Sequence, residues 1–385
     1  MRIGLFTEAY YPIISGVSVS VDNLAIELSK LGHEVIIFTN EHEHAKKEDK
    51  VIRFNAMRLP FKGMREYRIA KVTNKMIKEV MALKLDIVHC HTEFTMGRLG
   101  MKVAKRQKLP IVHTYHTMYE DYVHFISKYL TWILKPLAIR FGLHFANRSN
   151  AVIFPTIKVA EKFKQYGYKK NYHIIPTGIY LDRFQENKLD PVKLKKIKDS
   201  FKQEKIHLIY IGRVSREKNL DELFKAYQTC IIDHQLPYYL TIVGDGPDAK
   251  RYKDFVQKNN LTNAVTFVGM ISPLEVGYYY HIGDIFVNFS QSETQGLTFI
   301  EAIAAGKPVL AKYDTHISTF IKDDYNGWIF KTKDSFIEKL KWINKNQENL
   351  STMRKNCEDS AENFSAKMYA LNIEKVYQNL IKMDS

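Results

Sequence analysis

Two glutamates eight residues apart stand in the largely apolar segment SETQGLTFIEAIAAGKPVL, residues 292–310. Apolar residues recur at helical spacing from Leu297, and Gly306 predicts the end of a buried helix. Glu293 precedes this helix and Glu301 lies within it. Because a carboxylate is rarely buried without a hydrogen-bonding partner, the two side chains are candidates for contact with a polar ligand.

Two cations follow another apolar run. Residues 206–212 predict a strand, and the segment after it, GRVSREKNLDEL, carries Arg213 and Lys218 before a helix that starts near Asn219. Cations beside a helix N-terminus suit a diphosphate group. Solvated surface cations would give the same pattern. The position at the carboxyl end of a strand favours a binding site, because ligands of parallel sheets bind there.

Glycines mark two further strand-to-helix turns. VGDGPDAKRY places Gly244 and Gly246 in one turn, and Gly16 precedes the first predicted helix. Glycine lets a ligand approach the backbone closely, and a helix N-terminus is compatible with an anion. A turn that merely needs glycine would also explain these positions. The sequence contains neither a G-x-G-x-x-G fingerprint nor a Walker P-loop.

The elements that must position these residues alternate between strands and helices. Strands are predicted at 2–7, 33–40, 86–92, 110–116 and 150–156, then at 206–213, 239–246, 264–270, 284–290 and 308–313. The first helix is predicted to place Val19, Leu24, Leu28 and Leu31 on one face, with Gly32 as its cap. This alternation predicts two Rossmann-like α/β domains, each with a doubly wound parallel sheet, that face a central cleft.

Length and composition predict two globular domains. The chain has 385 residues, more than one typical core needs, and a lysine-rich stretch ending near residue 205 indicates the junction. We expect domains at 1–185 and 186–365, with a helix at about 366–385 that packs back on the first. Three scattered cysteines predict a reducing compartment. Neither a signal peptide nor an apolar stretch long enough to cross a bilayer is expected.

The motifs together resemble the retaining GT-B glycosyltransferases of class GT4, which use nucleotide-sugar donors. The segment with Glu293 and Glu301 resembles their E-x7-E signature, GRVSREKN resembles their diphosphate-binding segment, and SGV near the start resembles their first loop. One position departs from the usual pattern, since Gln295 stands where many relatives have an aromatic residue. The resemblance covers nearly the whole chain in order.

This resemblance implies a role for each donor-site residue. Glu301 would accept hydrogen bonds from the ribose hydroxyls, and Glu293 would hold the sugar ring. Arg213 and Lys218 would neutralise the leaving UDP, a catalytic as well as a binding role. The remaining donor-binding positions are Gly16, Gly244, Gly296 and Leu297. No D-x-D triplet occurs, so neither a metal nor another cofactor is expected.

The segment HTYHTMYEDYVHFISKYL resembles a stretch of the bacterial 1,2-diacylglycerol 3-glucosyltransferases, the monoglycosyl-diacylglycerol synthases. That resemblance implies His116 beside the transferred sugar, and Glu120 and Asp121 beside the acceptor hydroxyl. His91, in DIVHCHTEF, is interpreted as an acceptor-side residue, whereas His89 fits a structural role equally well. The implied reaction moves a hexose from UDP-glucose or UDP-galactose to diacylglycerol and keeps the α configuration.

Other activities fit parts of the pattern. The same fold could carry a soluble or polymeric sugar acceptor, or a nucleotide-sugar binding protein without catalytic activity. The formal charge of +15 would suit nucleic acid, but no nucleic-acid-binding module is recognisable, so no nucleic-acid partner is expected. Radiolabelled UDP-sugars with lipid or soluble acceptors would separate these readings.

The excess charge also points to anionic membrane lipids. Arg68, Lys71, Lys75 and Lys78 are predicted to form one helical stripe, beside an apolar stripe of Ile69, Val72, Met76, Val80 and Leu83. A second candidate is the segment 125–145, where Trp132 and Phe141 stand among Lys128, Lys135 and Arg140. We therefore expect a peripheral protein on the cytoplasmic face of the cell membrane. Apolar stripes that simply pack on the sheet are the alternative.

Overall fold

The computed structural model of the chain describes residues 1–58, 68–118, 130–201, 205–291 and 295–384. The chain divides into two compact units, Met1–Gly178 together with Ala366–Ser385, and Ile179–Ser365. The division falls between Gly178 and Ile179, a little before the junction at 185 and 186 that the sequence suggested. Each unit is built around a parallel sheet.

The strands of the first unit are β1 (Arg2–Phe6), β2 (Glu34–Asn40), β3 (Val51–Phe54), β4 (Met57–Arg58), β5 (Arg68–Ile69), β6 (Ile87–Cys90), β7 (Ile111–Thr114), β8 (Ala151–Phe154) and β9 (His173–Ile174). A seven-stranded sheet has the order β3-β2-β1-β6-β7-β8-β9, while β4 pairs with β5 in antiparallel fashion. The central strands β1, β6 and β7 are almost wholly buried, as expected where helices cover both faces of a parallel sheet. The predicted doubly wound architecture is confirmed.

The helices described in the first unit are Gly16–Lys30, Asn74–Met81, Thr95–Gln107, Thr131–Arg148, Ile157–Gln165 and Ala366–Asp384. The first of them begins with a capping box, in which the Ser15 side chain accepts from the Ser18 backbone N–H. Its buried apolar face consists of Val21, Leu24 and Leu28. The predicted apolar face of this helix is wrong at its first and last residues, Val19 and Leu31.

Val19 is only partly buried, and Leu31 is exposed because it caps the helix at its C-terminus. Gly32, with φ +86°, follows this cap as predicted.

The second unit has the strands β10 (Ile206–Ile211), β11 (Tyr238–Val243), β12 (Val265–Gly269), β13 (Ile285–Asn288), β14 (Val309–Lys312) and β15 (Gly327–Phe330). Its helices are Pro191–Asp199, Leu220–Ile232, Ala249–Lys258, Val276–Tyr280, Leu297–Ala304, Lys333–Lys345 and Asn349–Ala361. The six-stranded sheet has the order β12-β11-β10-β13-β14-β15, and its paired strands run parallel. The carboxyl ends of β10, β13 and β14 therefore lie side by side, and the loops that leave them are neighbours.

The last helix, Ala366–Asp384, packs on the first helix of the chain. The Tyr369 hydroxyl lies 3.1 Å from the Ser20 hydroxyl, and Ile373 and Tyr377 are buried in the same core as Leu24. The C-terminal segment thus belongs structurally to the first unit.

The segment that was expected to carry the basic stripe is not one helix. Arg68 lies on β5, is buried, and donates to Glu43 at 2.6 Å, which holds the pKa of that carboxyl down at about 2. The helix starts only at Asn74, because the Thr73 side chain caps it by accepting from the Met76 N–H. Lys71, Lys75 and Lys78 remain exposed.

The apolar stripe of that segment packs on the sheet. Met76 and Val80 are buried in the core of the first unit, and Val72 and Leu83 pack against the same core. The prediction of one helical stripe of four cations is wrong, because Arg68 is buried on β5 and Lys71 precedes the helix. The alternative, an apolar face turned to the sheet, holds.

Candidate active site

The turn after β10 carries the two predicted cations. Arg213 is exposed and Lys218 is partly buried in a short 3₁₀ turn, Arg216–Lys218, that precedes the helix Leu220–Ile232. Glu217 lies between them. Burial raises the pKa of Glu217, but a hydrogen bond from Ser215 and the charges of Arg213 and Lys218 outweigh burial and lower it. The two cations therefore act on one small region of the turn.

Three residues that the sequence analysis missed hold this turn in place. Asn219 adopts a left-handed conformation, φ 56°, and its side chain donates to Glu222 Oε2 at 2.6 Å. The same carboxylate oxygen accepts from Lys312 Nζ at 2.5 Å, at the end of β14. One carboxylate thus joins the loops that leave two different strands. The sequence signal was an Asn at the helix start followed three positions later by Glu.

Close packing of the backbone requires glycine at positions 244 and 246. A Cβ on Gly244 would lie 2.0 Å from the Gly212 carbonyl oxygen, and a Cβ on Gly246 would lie 2.3 Å from that of Val214. The loops after β10 and β11 therefore cross at backbone contact distance. This approach requires glycine with or without a ligand, and the donor-binding role of Gly244 stays a prediction.

Glu301 lies on the helix Leu297–Ala304, where Ile300 and Ile303 are fully buried and Leu297 is partly buried. The residue is partly buried, and its carboxylate oxygen Oε2 accepts from the Tyr280 hydroxyl at 2.7 Å. Burial raises the pKa of Glu301, and the Tyr280 hydroxyl opposes that rise. The predicted polar residue in an apolar helix is therefore hydrogen-bonded, as its partly buried position requires.

The N-terminus of that helix is formed by Gly296, whose φ of +72° is left-handed. The backbone carbonyl before it, on Gln295, lies 2.9 Å from His316 Nε2, which anchors the loop. The sequence analysis did not identify His316. Glu293 lies outside the described residues, as do Glu120 and Asp121.

In the first unit, Gly16 is exposed at the N-terminus of the helix Gly16–Lys30, where it was expected. Ser15 precedes it as the N-cap, and the first turn of the helix contains no acidic residue. The N-terminal backbone amides are thus not opposed by a local carboxylate.

His91 and His116 meet at the carboxyl ends of the adjacent strands β6 and β7. His91 Nδ1 lies 3.0 Å from His116 Nε2, and the rings stack with centroids 5.3 Å apart. Burial lowers the pKa of both imidazoles, to about 3 for His116, with a further contribution from His113. Both rings are therefore neutral near pH 7 and share one N–H between them. His91 Nε2 has no hydrogen-bond partner among the described residues.

His89 has a structural environment. Its Nδ1 lies 2.5 Å from the Tyr377 hydroxyl and its Nε2 lies 2.8 Å from the Thr114 hydroxyl, and the ring is fully buried. Both ring nitrogens are thus used inside the first unit, which favours the structural alternative. His113 lies beside it, with Nδ1 donating to the Cys90 carbonyl at 3.0 Å and Nε2 3.1 Å from Glu93 Oε1.

Glu8 is a buried carboxylate that the sequence analysis passed over. It accepts from the Thr92 hydroxyl, from the Thr95 hydroxyl at 3.1 Å and from the backbone N–H of Met96. The helix Thr95–Gln107 has no side-chain cap on its own N-cap residue, so Glu8, two residues after the end of β1, supplies one. Burial raises the pKa of Glu8, and these hydrogen bonds counteract that rise.

An apolar surface lies on the helix Thr131–Arg148. Trp132 is 74% exposed and Leu137 is 55% exposed, and Leu130 and Ile133 beside them are also exposed. Lys135 and Arg140 on the same helix are exposed as well, whereas Phe141 is partly buried. Lys128 lies outside the described residues. The second membrane candidate thus presents both apolar and cationic side chains to solvent. In the first candidate the lysines are exposed but the apolar residues pack on the core.

The described part of the chain contains neither a candidate metal site nor a candidate membrane-spanning helix. No group of three or more His, Cys, Asp or Glu side chains in the described part of the chain is arranged to hold a metal ion. Among the described helices, none combines the length and apolar character needed to span a bilayer.

Comparison with known proteins places these residues in context. The family model described as Glycosyltransferase Family 4 matches residues 14–183, and the model described as Glycosyl transferases group 1 matches residues 192–363. The chain is 35% identical to the alpha-monoglucosyldiacylglycerol synthase of Acholeplasma laidlawii, over 99% of this chain and 98% of that protein. The protein of the same name from Streptococcus pneumoniae is 33% identical over 100% and 88% of the two chains.

A solved structure supports the fold. The crystal structure of Anabaena HepE in complex with UDP is similar with a TM-score of 0.77 and 15% identity, over 98% of this chain and 100% of that one. At this level of identity the likeness concerns the fold, a pair of Rossmann-like units.

Proposed function

The chain belongs to glycosyltransferase family 4, and we propose that it transfers glucose from UDP-glucose to the free hydroxyl of 1,2-diacylglycerol, giving α-monoglucosyldiacylglycerol. The observation that carries this proposal is the extent of the match to two alpha-monoglucosyldiacylglycerol synthases. At 99% and 100% of this chain, the similarity includes the first unit, where the acceptor residues are expected, as well as the second. A relationship confined to the donor unit would leave the acceptor open.

The second unit would bind the donor. The Glu301 carboxylate, on a partly buried helix, accepts hydrogen bonds from ribose hydroxyls. Arg213 and Lys218, in the turn after β10, pair with the diphosphate. Glu293 holds the sugar ring. The arrangement in the turn supports this assignment, because Asn219 and Glu222 fix the backbone that carries Lys218.

The reaction needs charge stabilisation at the leaving group. The bond between the sugar C1 and the β-phosphate oxygen breaks, and a new bond forms between C1 and the acceptor oxygen on the same face. The acceptor proton passes to the departing phosphate oxygen. Negative charge grows on UDP as the bond breaks, and the two cations stabilise it. The cations take this role without a metal ion in the proposed mechanism.

The neutral pair His91 and His116 would face the transferred sugar from the first unit. A neutral imidazole can donate from one nitrogen and accept at the other, which suits a sugar hydroxyl. Because the pKa of His116 is lowered to about 3, the ring would not carry a charge that repels the positive charge growing at C1. Glu120 and Asp121 are proposed to lie beside the acceptor hydroxyl.

The acceptor resides in a membrane, so the enzyme must come to it. The exposed part of the helix Thr131–Arg148 offers Trp132 and Leu137 to the acyl region and Lys135 and Arg140 to anionic headgroups. We therefore propose that the protein is a peripheral enzyme at the cytoplasmic face of the membrane.

A transfer assay tests the proposal directly. Purified protein receives radiolabelled UDP-glucose or UDP-galactose, with either diacylglycerol in anionic vesicles or soluble sugars as acceptor. A labelled lipid that an α-glucosidase cleaves, formed from UDP-glucose and diacylglycerol, is the expected product. Label that enters the lipid mainly from UDP-galactose would show that UDP-galactose is the donor. Label found only in soluble sugars would rule out diacylglycerol as the acceptor.

A further inference from the structure

Tyr280 makes a contact that the sequence does not suggest. It ends the helix Val276–Tyr280, its ring is fully buried, and its hydroxyl lies 2.7 Å from Glu301 Oε2 and 3.1 Å from the Thr298 carbonyl oxygen. Phe184 and Phe286 contact the ring with centroids 5.8 and 5.9 Å away. The phenol therefore reaches the carboxylate from a side chain that the core holds in place.

A phenol has one proton, so the two acceptors compete for it. The carboxylate is the nearer of them and, when ionised, the stronger acceptor, since hydrogen bonds to charged groups are shorter and stronger than neutral ones. The hydroxyl accordingly donates to Glu301 Oε2 in the ionised state. The direction of the effect on pKa agrees, because the Tyr280 hydroxyl lowers the pKa of Glu301 against the rise caused by burial.

The other carboxylate oxygen is differently placed. Among the described residues none donates a hydrogen bond to Glu301 Oε1. One oxygen of the carboxylate is thus held by the protein core and the other is available to a ligand. Such a division fixes the side-chain rotamer before a ligand arrives and reduces the ordering cost of binding.

We propose that Tyr280 is a positioning residue that orients Glu301, so that Oε1 is presented to one ribose hydroxyl of the nucleotide. This inference rests on the proposed function, which assigns Glu301 to the ribose. The preference of the site for ribose over deoxyribose then depends on the Tyr280 phenol, which lies on a different helix and acts through the Glu301 carboxylate. Tyr280 itself does not touch the ribose.

The test uses Tyr280→Phe in the full-length enzyme, with calorimetric binding of UDP, 2′-deoxy-UDP and 3′-deoxy-UDP. Loss of one hydrogen bond to a charged group predicts a UDP Kd about tenfold higher. The turnover number kcat should stay within about twofold, because the diphosphate contacts are unchanged. The deoxy analogue that lacks the hydroxyl bound by Oε1 should bind wild type about tenfold more weakly than UDP, and this penalty should shrink to less than about threefold in the variant.

Tyr238→Phe is the matched control. Its hydroxyl is also buried in the second unit and donates to the Leu340 carbonyl at 2.7 Å, away from any carboxylate. It should lose stability as Tyr280→Phe does, yet keep the affinity of wild type for UDP. The double variant Tyr280→Phe with Glu301→Gln should show no loss of UDP affinity beyond that of Glu301→Gln alone.

Failure of the inference and failure of the function give different results. If wild type binds UDP and Glu301→Gln loses that affinity while Tyr280→Phe retains both affinity and the full deoxy penalty, the inference alone is overturned. If wild type itself does not bind UDP, the proposed function falls, and the inference falls with it.

Discussion

The exposed apolar surface around Trp132 predicts a measurable contribution to vesicle binding. A tryptophan side chain buries about 150–250 Å² when it leaves water, and Trp132 is 74% exposed, so about 150 Å² is free to be buried. At about 25 cal/mol per Å² this area corresponds to roughly 4 kcal/mol on complete burial. Leu137, 55% exposed, adds about 1 kcal/mol on the same scale.

Insertion into a headgroup region buries only part of this surface. Taking about half of the total, the double variant Trp132→Ser with Leu137→Ser should lose about 2–2.5 kcal/mol of membrane affinity, or roughly thirtyfold to seventyfold. The assay is co-sedimentation with vesicles that contain diacylglycerol and phosphatidylglycerol, together with transfer activity on the same vesicles. UDP binding in solution should stay unchanged, because the substituted residues lie in the first unit.

A control variant separates this effect from a general loss of surface hydrophobicity. Val192→Ser removes a side chain that is 77% exposed on a helix of the second unit and should bind vesicles as wild type does. Lys135→Gln with Arg140→Gln should weaken binding at low salt by about 1 kcal/mol per cation and less at high salt. Unchanged sedimentation of the Trp132 and Leu137 double variant would refute the assignment of this helix to the membrane.

Three further predictions concern the donor unit. Arg213→Ala and Lys218→Ala should each lower kcat by about 10²–10³-fold in the transfer assay, since each removes one charge from the leaving group. Activity should survive incubation with EDTA, and a loss that Mg²⁺ or Mn²⁺ restores would contradict the metal-free mechanism. Burial raises the folded pKa of Glu301 above the ordinary carboxyl value of 4.5, so its contribution to stability is present below that value and is lost as pH rises through the folded pKa. Glu301→Gln should therefore raise the melting temperature of the free protein more at pH 8 than at pH 4.5, while UDP affinity falls.

The fold could be predicted because its signals are local. Each buried strand is a short apolar run ended by a polar or glycine residue, and parallel pairing follows from the intervening helices. The predictions failed where a tertiary contact outweighed the spacing of residues. Arg68 fits a helical stripe with Lys71 and Lys75, but β4 pairs with β5 and Glu43 binds its guanidinium, so the residue is buried.

The start of the helix Asn74–Met81 can nevertheless be predicted from the sequence. Thr73 directly precedes the residues that form the helix, and a threonine in that position is a common N-cap. A helical stripe that includes Arg68 and Lys71 follows from charge spacing alone and is incompatible with this cap. The cap decides where the helix begins, because it satisfies backbone N–H groups that would otherwise be unpaired, whereas the spacing of charged residues satisfies none.

Motifs identify the groups that meet a ligand and leave unidentified those that set their orientation and charge. Glu301 and Lys218 are recognisable from their neighbours in the chain, yet Tyr280 reaches Glu301 from 21 positions away and Lys312 reaches Glu222 from 90 positions away. Segments such as GYYYH contain three tyrosines, and only the packing of the helix decides which one faces the carboxylate. Relatives that keep both motif glutamates can therefore differ in donor affinity through their supporting residues, and substitutions at Tyr280 and Glu222 are where that difference should be measured.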